Sequence, residues 1–244
     1  MILFLPHEIL HHVVGNDDES AAPWRLPEES FFDNQGLAKL MSQWADSPEV
    51  DLGGTPLTQL CALGMHCDGV QYSLTNRAGS TRSVLAASFN VISGDTDARR
   101  GKRHLLFVLN KQKLCNCGCG GVHTLDPIWD VLAWSLRACL RGVAPAARHD
   151  GSPFEGSELA DRLAANTPVP KACLVQVRGD WEWLCVCFRF RMWSQNEFCW
   201  MCNAAKARVA FVWGSTRDSE SCETIGGDRV PPTTGAQVLS GQPP

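Results

Sequence analysis

The sequence predicts a mixed α/β fold with strands and helix in the order β-β-β-α-β, preceded by a helical N-terminal region and followed by a disordered C-terminal tail. Three observations predict it: β-like runs at Leu60 to Leu74, Ser83 to Ser93 and His104 to Leu114; one amphipathic stretch from Thr124 onward; and a Val- and Leu-rich run at Lys171 to Val177. With 244 residues, 44% of them hydrophobic and 20% charged, and a mean hydropathy of −0.13, the chain has the composition of a globular protein rather than a disordered or fibrous one.

The elements follow in order. Residues 1–57 carry a short helix at Glu8 to Val14 and a second at Gly36 to Ala45, where Leu37, Leu40, Met41 and Trp44 recur at helical spacing; this acidic region is expected to dock on a core rather than form one. The core domain spans 58–203. Its second and third strands are joined by the polar, glycine-bounded loop Gly94 to Gly101, which makes them a hairpin and the first three strands antiparallel. Thr124 reads as the cap of the long helix, with Pro127 in its first turn, Ile128, Val131, Leu132, Ser135, Leu136 and Cys139 on one face, and Gly142 as its stop. Residues 143–170 are a Pro- and Gly-rich connection with a small helix near Ser157 to Ala165. A strand reached through a helix joins its sheet in parallel. Residues 204–244 form the tail.

Charge is unevenly spread. Residues 1–60 hold ten acids against Arg25 and Lys39, a net of −8, whereas residues 77–113 hold eight bases against Asp95 and Asp97, a net of +6. The second segment, centred on Arg99, Arg100, Lys102 and Arg103, has the character of a polyanion surface or of a solubilising turn. The chain's apolar runs, such as 172–175 and 209–213, are far shorter than the roughly 20 residues that cross a bilayer, so no membrane partner is expected. The opening Met1 to Leu5 lacks a basic leading segment and runs into Pro6, His7 and Glu8, which is not the pattern of a secretory signal. The expectation is an intracellular protein, nuclear if it acts on DNA.

Twelve cysteines in a mid-sized chain without an export signal point to metal ligation or plain burial rather than to a disulfide scaffold. Cys199 and Cys202 form a C-x-x-C, which is half of a tetrahedral zinc site. The other half is available from Cys115, Cys117, Cys119 and His123, or those four bind an ion alone, although C-x-C-x-C is cramped for three ligands on one metal. Cys61, Cys139, Cys173, Cys185 and Cys187 read as small buried thiols. Nothing joins a cysteine to a base, an orienting acid and an oxyanion site, and Gly118 to Gly121 lacks the order of a phosphate-cradling loop, which argues against thiol catalysis and nucleotide binding.

Three antiparallel strands, a helix and a parallel fourth strand make the ribonuclease-H arrangement, in which strands one and four are neighbours and acids at their ends meet. Asp68 lies in the first strand and Asp180 follows the fourth. Such a pair holds two divalent ions, magnesium or manganese, about 4 Å apart for phosphodiester chemistry. Taken singly, an Asp before Gly is more often a turn former. The motifs Cys67-Asp68-Gly69-Val70, Phe107 to Lys111, Cys117-Gly118-Cys119-Gly120, Arg148 to Phe154, Arg178-Gly179-Asp180-Trp181 and Cys199-Trp200-Met201-Cys202 resemble a family of uncharacterised repeated proteins of unicellular-alga genomes. More distantly they are similar to the DDE transposases of the CACTA and Plavaka kinds. The resemblance, over residues 57–203, implies a transposase-derived domain that ancestrally cut and joined DNA, with Asp68 and Asp180 as metal carboxylates. It calls for a third acid from a downstream helix, for which the chain offers only Glu220 and Glu223 in a low-complexity stretch, so loss of activity is expected. Asp150, in Arg148-His149-Asp150-Gly151, is the rival acid, read as a turn or substrate contact. The alternative is a zinc-stabilised nucleic-acid or protein interaction module without catalysis.

Overall fold

The computed structural model describes residues 2–15, 17–26, 35–48, 50–71, 83–155, 162–188 and 190. The chain divides into two compact units, Met1–Gly179 and Asp180–Pro244. The first contains, in order, α1 (Pro6–Val14), α2 (Asp18–Ala21), a 3₁₀ turn (Ala22–Trp24), α3 (Gln35–Ala45), a second turn (Leu57–Gln59), β1 (Cys61–Gln71), β2 (Ser83–Val91), α4 (Asp97–Gly101), β3 (His104–Asn110), a third turn (Lys111–Lys113), α5 (Val122–Arg141) and β4 (Ala172–Gly179). The described part of the second unit contains α6 (Trp181–Phe188).

The four strands form one mixed sheet in the order β3-β2-β1-β4. β1 pairs antiparallel with β2 and parallel with β4, and β2 pairs antiparallel with β3, as the order of elements requires. Alternation along β1 sends Leu63 and Met65 to one face of the sheet. There they meet Phe89, Leu106 and Leu174 from the other strands and Trp129, Leu132 and Leu136 from α5. On the opposite face Ala62 and Cys173 are buried with Leu60, Leu26 and the α3 residues Ala38 and Met41. The N-terminal segments thus contribute core residues: Leu10 and Val14 of α1 and Met41 of α3 are fully or almost fully buried. Leu3 bridges Phe107, and the Phe4 N–H donates to the Leu106 carbonyl, so the opening residues occupy the free edge of β3.

Several boundaries differ from expectation, each for a local reason. The loop at 94–101 contains α4 because Thr96 caps it, its hydroxyl oxygen accepting from the Arg99 N–H. α5 begins at Val122, not after Thr124, with Gly121 as its N-cap at φ 92°. Pro127 therefore stands inside the helix and removes the N–H that would reach the His123 carbonyl. The expected small helix near 157–165 falls largely outside the described residues, as does all of 204–244.

α5 ends where expected. Gly142 sits at φ 76°, its N–H donates to the carbonyls of Ala138 and Cys139, and the Val143 N–H returns to Ala138. A β-carbon there would lie 2.9 Å from Lys171 Cγ, which is a flexible neighbour, so the backbone dominates. Gly142→Ala is expected to destabilise by about 1 kcal/mol, the price of a left-handed L-residue, read as a lowered urea midpoint with an unchanged slope.

Candidate metal centre

Cys115, Cys117, Cys119 and His123 lie at the corner between β3 and α5. Their ligand atoms, three Sγ and one imidazole nitrogen, all fall within 4.8 Å of one another. Cys115 Sγ is 3.1 Å from Cys117 Sγ, and His123 Nδ1 is 3.3 Å from Cys117 Sγ and 3.8 Å from Cys115 Sγ. Around a tetrahedral zinc ion, with Zn–S near 2.3 Å and Zn–N near 2.0 Å, ligand atoms are separated by ~3.6–3.8 Å. The ligand atoms therefore come within about an ångström of the separations a single ion needs.

The four residues are gathered as one of the two expected arrangements requires, and glycines on either side of Cys119 relieve the crowding of C-x-C-x-C. Gly118 and Gly120 take φ of 92° and 66°, a left-handed conformation that side chains disfavour. These reversals on either side of Cys119 interrupt a strand-like alternation and accompany the gathering of all three sulfurs. Helix α5 adds the fourth ligand, since His123 is its second residue. Thr124, expected as a helix cap, instead accepts from the Cys115 N–H at 2.9 Å and ties the start of the loop to the first turn of α5.

Electrostatics suit a cation. The Cys119 thiol is held down to about 6, chiefly by the backbone N–H of His123, with further donation from Gly121. These are unpaired donors of the α5 N-terminus, where the helix dipole also favours negative charge. Cys117 is raised by its hydrogen bonds to Cys115 and Cys119, as expected when thiols share a site without charge to neutralise them. Cys115 and Cys119 are half-buried and Cys117 and His123 exposed, so an ion has access from solvent. Thiolate and imidazole donors select zinc or another borderline-soft metal over magnesium or calcium. Cys199 and Cys202 lie outside the described residues.

Among the other thiols, Cys61, Cys139 and Cys173 are buried, and burial pushes Cys61 and Cys173 up to about 12 and Cys139 higher still. They are inert core residues, as read.

The carboxylates fare differently. Asp68 is half-buried in β1, and its Oδ1 accepts from the Gly69 N–H at 2.7 Å. The β1–β4 ladder ends with Cys67 beside Gly179, so Asp68 and Asp180 each follow a residue of that last pair; Asp180 opens the second unit. There its Oδ1 accepts from the Trp183 N–H at 2.6 Å, which makes it the N-cap of α6. Asp150 is exposed and accepts from both the N–H and the hydroxyl of Ser152, which hold its carboxyl below the usual range; it forms a turn.

The basic cluster is partly neutralised within itself. Arg99 pairs with Asp95 and lies over the Trp24 ring, and Arg100 pairs with Asp97 at 2.6 Å. Lys102 and Arg103 remain exposed. Sequence reading missed Arg178, which crosses β1 to reach Asn90; its signal was the small Gly64 beneath it.

Comparison with protein-family models, with curated proteins and with solved structures gives no match. The class of protein is therefore defined by the molecule itself: a mixed α/β protein with a four-stranded sheet and a Cys₃His cluster able to hold a metal ion. Among the described residues no helix is long and apolar enough to cross a membrane.

Proposed function

We propose that this chain is a zinc-stabilised nucleic-acid-binding module built on a ribonuclease-H-like sheet of transposase descent, and that it acts without cutting its ligand. The observation that carries the reading is the Cys₃His cluster, with four zinc-type donors gathered at one corner of the fold. Zinc there joins the end of the sheet to the start of α5, a structural role with no open coordination position for substrate. The sheet order, with β4 parallel to β1, agrees with ribonuclease-H ancestry. Lys102 and Arg103 supply exposed positive charge for a phosphate backbone. Elemental analysis of reduced, purified protein is expected to find one zinc per chain, retained through gel filtration and lost in Cys119→Ser. Metal-free protein from zinc-supplemented cells would remove the reading.

A second reading, two-metal phosphodiester cleavage through Asp68 and Asp180 with magnesium or manganese, is the one the transposase resemblance implies, with Asp68 in the first unit and Asp180 at the start of the second. Against it, each carboxylate already commits one oxygen to a backbone N–H, and Asp150 is tied to Ser152. Two carboxylates alone leave ion positions looser than the ~0.5 Å that productive sites need. Incubation with supercoiled plasmid and Mg²⁺ or Mn²⁺ is expected to leave it intact. Nicking that Asp180→Asn abolishes would make the catalytic reading the correct one.

A further inference from the structure

We infer that the half of the sheet face left uncovered by α3 is a binding surface for single-stranded nucleic acid, with Arg178 as its fixed phosphate contact. The inference rests on the nucleic-acid-binding reading and says where, and in what form, the ligand sits.

Register defines the face. The strand pairings place Gly64, Asn90 and Gln176 in one row, His66, Ser88, Leu105 and Arg178 in the next, Asp68, Ala86 and Val108 in a third, and Val70, Val84 and Asn110 in a fourth. All share the face that α3 covers only around Ala62 and Cys173. Beyond β3, Leu3 pairs with Phe107, whose ring packs on Trp129 of α5; alternation therefore sends Ile2 and Phe4 to this same open face. Of the exposed large hydrophobic side chains, Ile2 (72%), Val70 (46%), Phe4 (45%), Leu105 (43%) and Val108 (42%) all lie on it. Solvent-facing strands ordinarily alternate to polar side chains at such positions, and contiguous exposed apolar surface marks an interaction site.

The chemistry at the other end of the face indicates the occupant. Arg178 is exposed, yet its guanidinium is not free to wander. It lies across β1 with Nη2 3.4 Å from Asn90 Oδ1, and Asn90 is fixed in turn by donating to the Arg100 carbonyl at 2.7 Å. The crossing is made possible by Gly64: a β-carbon there would stand 3.1 Å from Arg178 Nη2. A guanidinium held on one side by Asn90 has further N–H groups with which to bind a phosphate. Half-buried His66 shares its row, and Lys102 and Arg103 extend the positive charge where β3 begins. Asp68 is the one acid in the four strands, so the backbone is drawn to the Arg178 and Arg103 side while Leu105, Val108 and Phe4 meet the bases. Apolar surface beside a cationic track fits unpaired bases, which expose their faces; a duplex hides them.

The test uses the full-length, zinc-loaded chain and fluorescence anisotropy with an oligothymidylate of about 20 nucleotides and a duplex of the same length. The single strand is expected to bind more tightly than the duplex, with affinity falling as salt rises. Arg178→Gln and, separately, Leu105→Glu are each expected to weaken single-strand binding by about five-fold or more while thermal melts show both variants folded. Equal binding of duplex and single strand, or variants that bind as the parent does, overturns this inference and leaves the broader reading standing. Binding of neither probe overturns both. If sedimentation shows a dimer that Leu105→Glu dissociates, with no oligonucleotide bound, the face is a self-association surface and the inference is wrong. Should Leu105→Glu fail to fold, Arg178→Gln decides alone, since Arg178 is exposed and outside the core.

Discussion

Loss of the proposed zinc is expected to lower the thermal midpoint by on the order of 10 °C, whether by Cys119→Ser or by a strong chelator. The loop between β3 and α5 has little else to hold it. Its ligand residues are exposed or half-buried, so burial stabilises it weakly. Gly118, Gly120 and Gly121 all stand at positive φ, and glycine loses more conformational entropy on ordering than any other residue. A few hydrogen bonds hold it, among them Cys115 N–H to Thr124 Oγ1 and Val122 N–H to the Cys119 carbonyl. Zinc binding free energy is folding free energy when no preformed site exists in the unfolded chain. A net contribution of about 3 kcal/mol, well below the gross affinity of a zinc-finger peptide, corresponds to this shift at ~2–4 °C per kcal/mol for a chain of this size. Calorimetry with and without chelator measures it. The chelator should move the parent and leave Cys119→Ser unmoved; equal midpoints for the parent under both conditions would show that the cluster holds no stabilising ion.

How much of this was legible in the sequence varies with the kind of signal. β1, β2 and β3 announce themselves by β-branched and apolar runs broken at Gly and polar residues, and α5 by a 3.6-residue apolar period that the packing of Leu125, Ile128, Leu132 and Cys139 reproduces. The parallel pairing of β4 with β1 follows from topology rules rather than from any residue. The metal cluster was legible as composition but not as geometry. Spacing alone makes C-x-C-x-C look strained, and it does not disclose the left-handed glycines that accompany the gathering of the three sulfurs. α6 was invisible because Trp181 to Phe188 is apolar on nearly every side and has no period to detect. Its start signal was present in Asp180, whose capping bond to the Trp183 N–H is the ordinary use of an Asp before a helix. The exposure of Leu105, Val108 and Val70 could not be read, since an apolar strand residue looks the same whether or not another element covers it.

Acidification is expected to destabilise the fold between about pH 6.5 and pH 4, before most carboxylates titrate, and His7 is one cause. Leu5 offers α1 no side-chain cap, and the first-turn N–H of His7 is met instead by Ser135 Oγ of α5 at 3.2 Å. The same oxygen is 2.7 Å from His7 Nδ1. An imidazole with its proton on Nε2 completes the set: the hydroxyl accepts from the backbone N–H and donates to Nδ1. Ser135 is fully buried and His7 is 3% exposed, and the ring stands edge-on to Trp134. Burial, and then the positive charge of Arg162, lower the His7 pKa from 6.5 to about 4. Burial also lowers His104, with the same sign. In this window the unfolded chain binds a proton that the folded chain does not, so stability rises with pH and is lost on going down through it. At about 1.4 kcal/mol per pH unit, the loss due to His7 reaches roughly 3 kcal/mol by pH 4. Below pH 4 the sign is unchanged but the groups differ, since Asp17 and Asp150 are held below the ordinary range by Ser20 and Ser152. Urea titrations of the parent and of His7→Leu at closely spaced pH values separate these contributions, because the Cys₃His cluster is the same in both. The variant is expected to be less stable at neutral pH, having lost the Ser135 partner, yet to lose markedly less between pH 6.5 and 4. Parallel profiles for parent and variant would place the acid-labile group elsewhere.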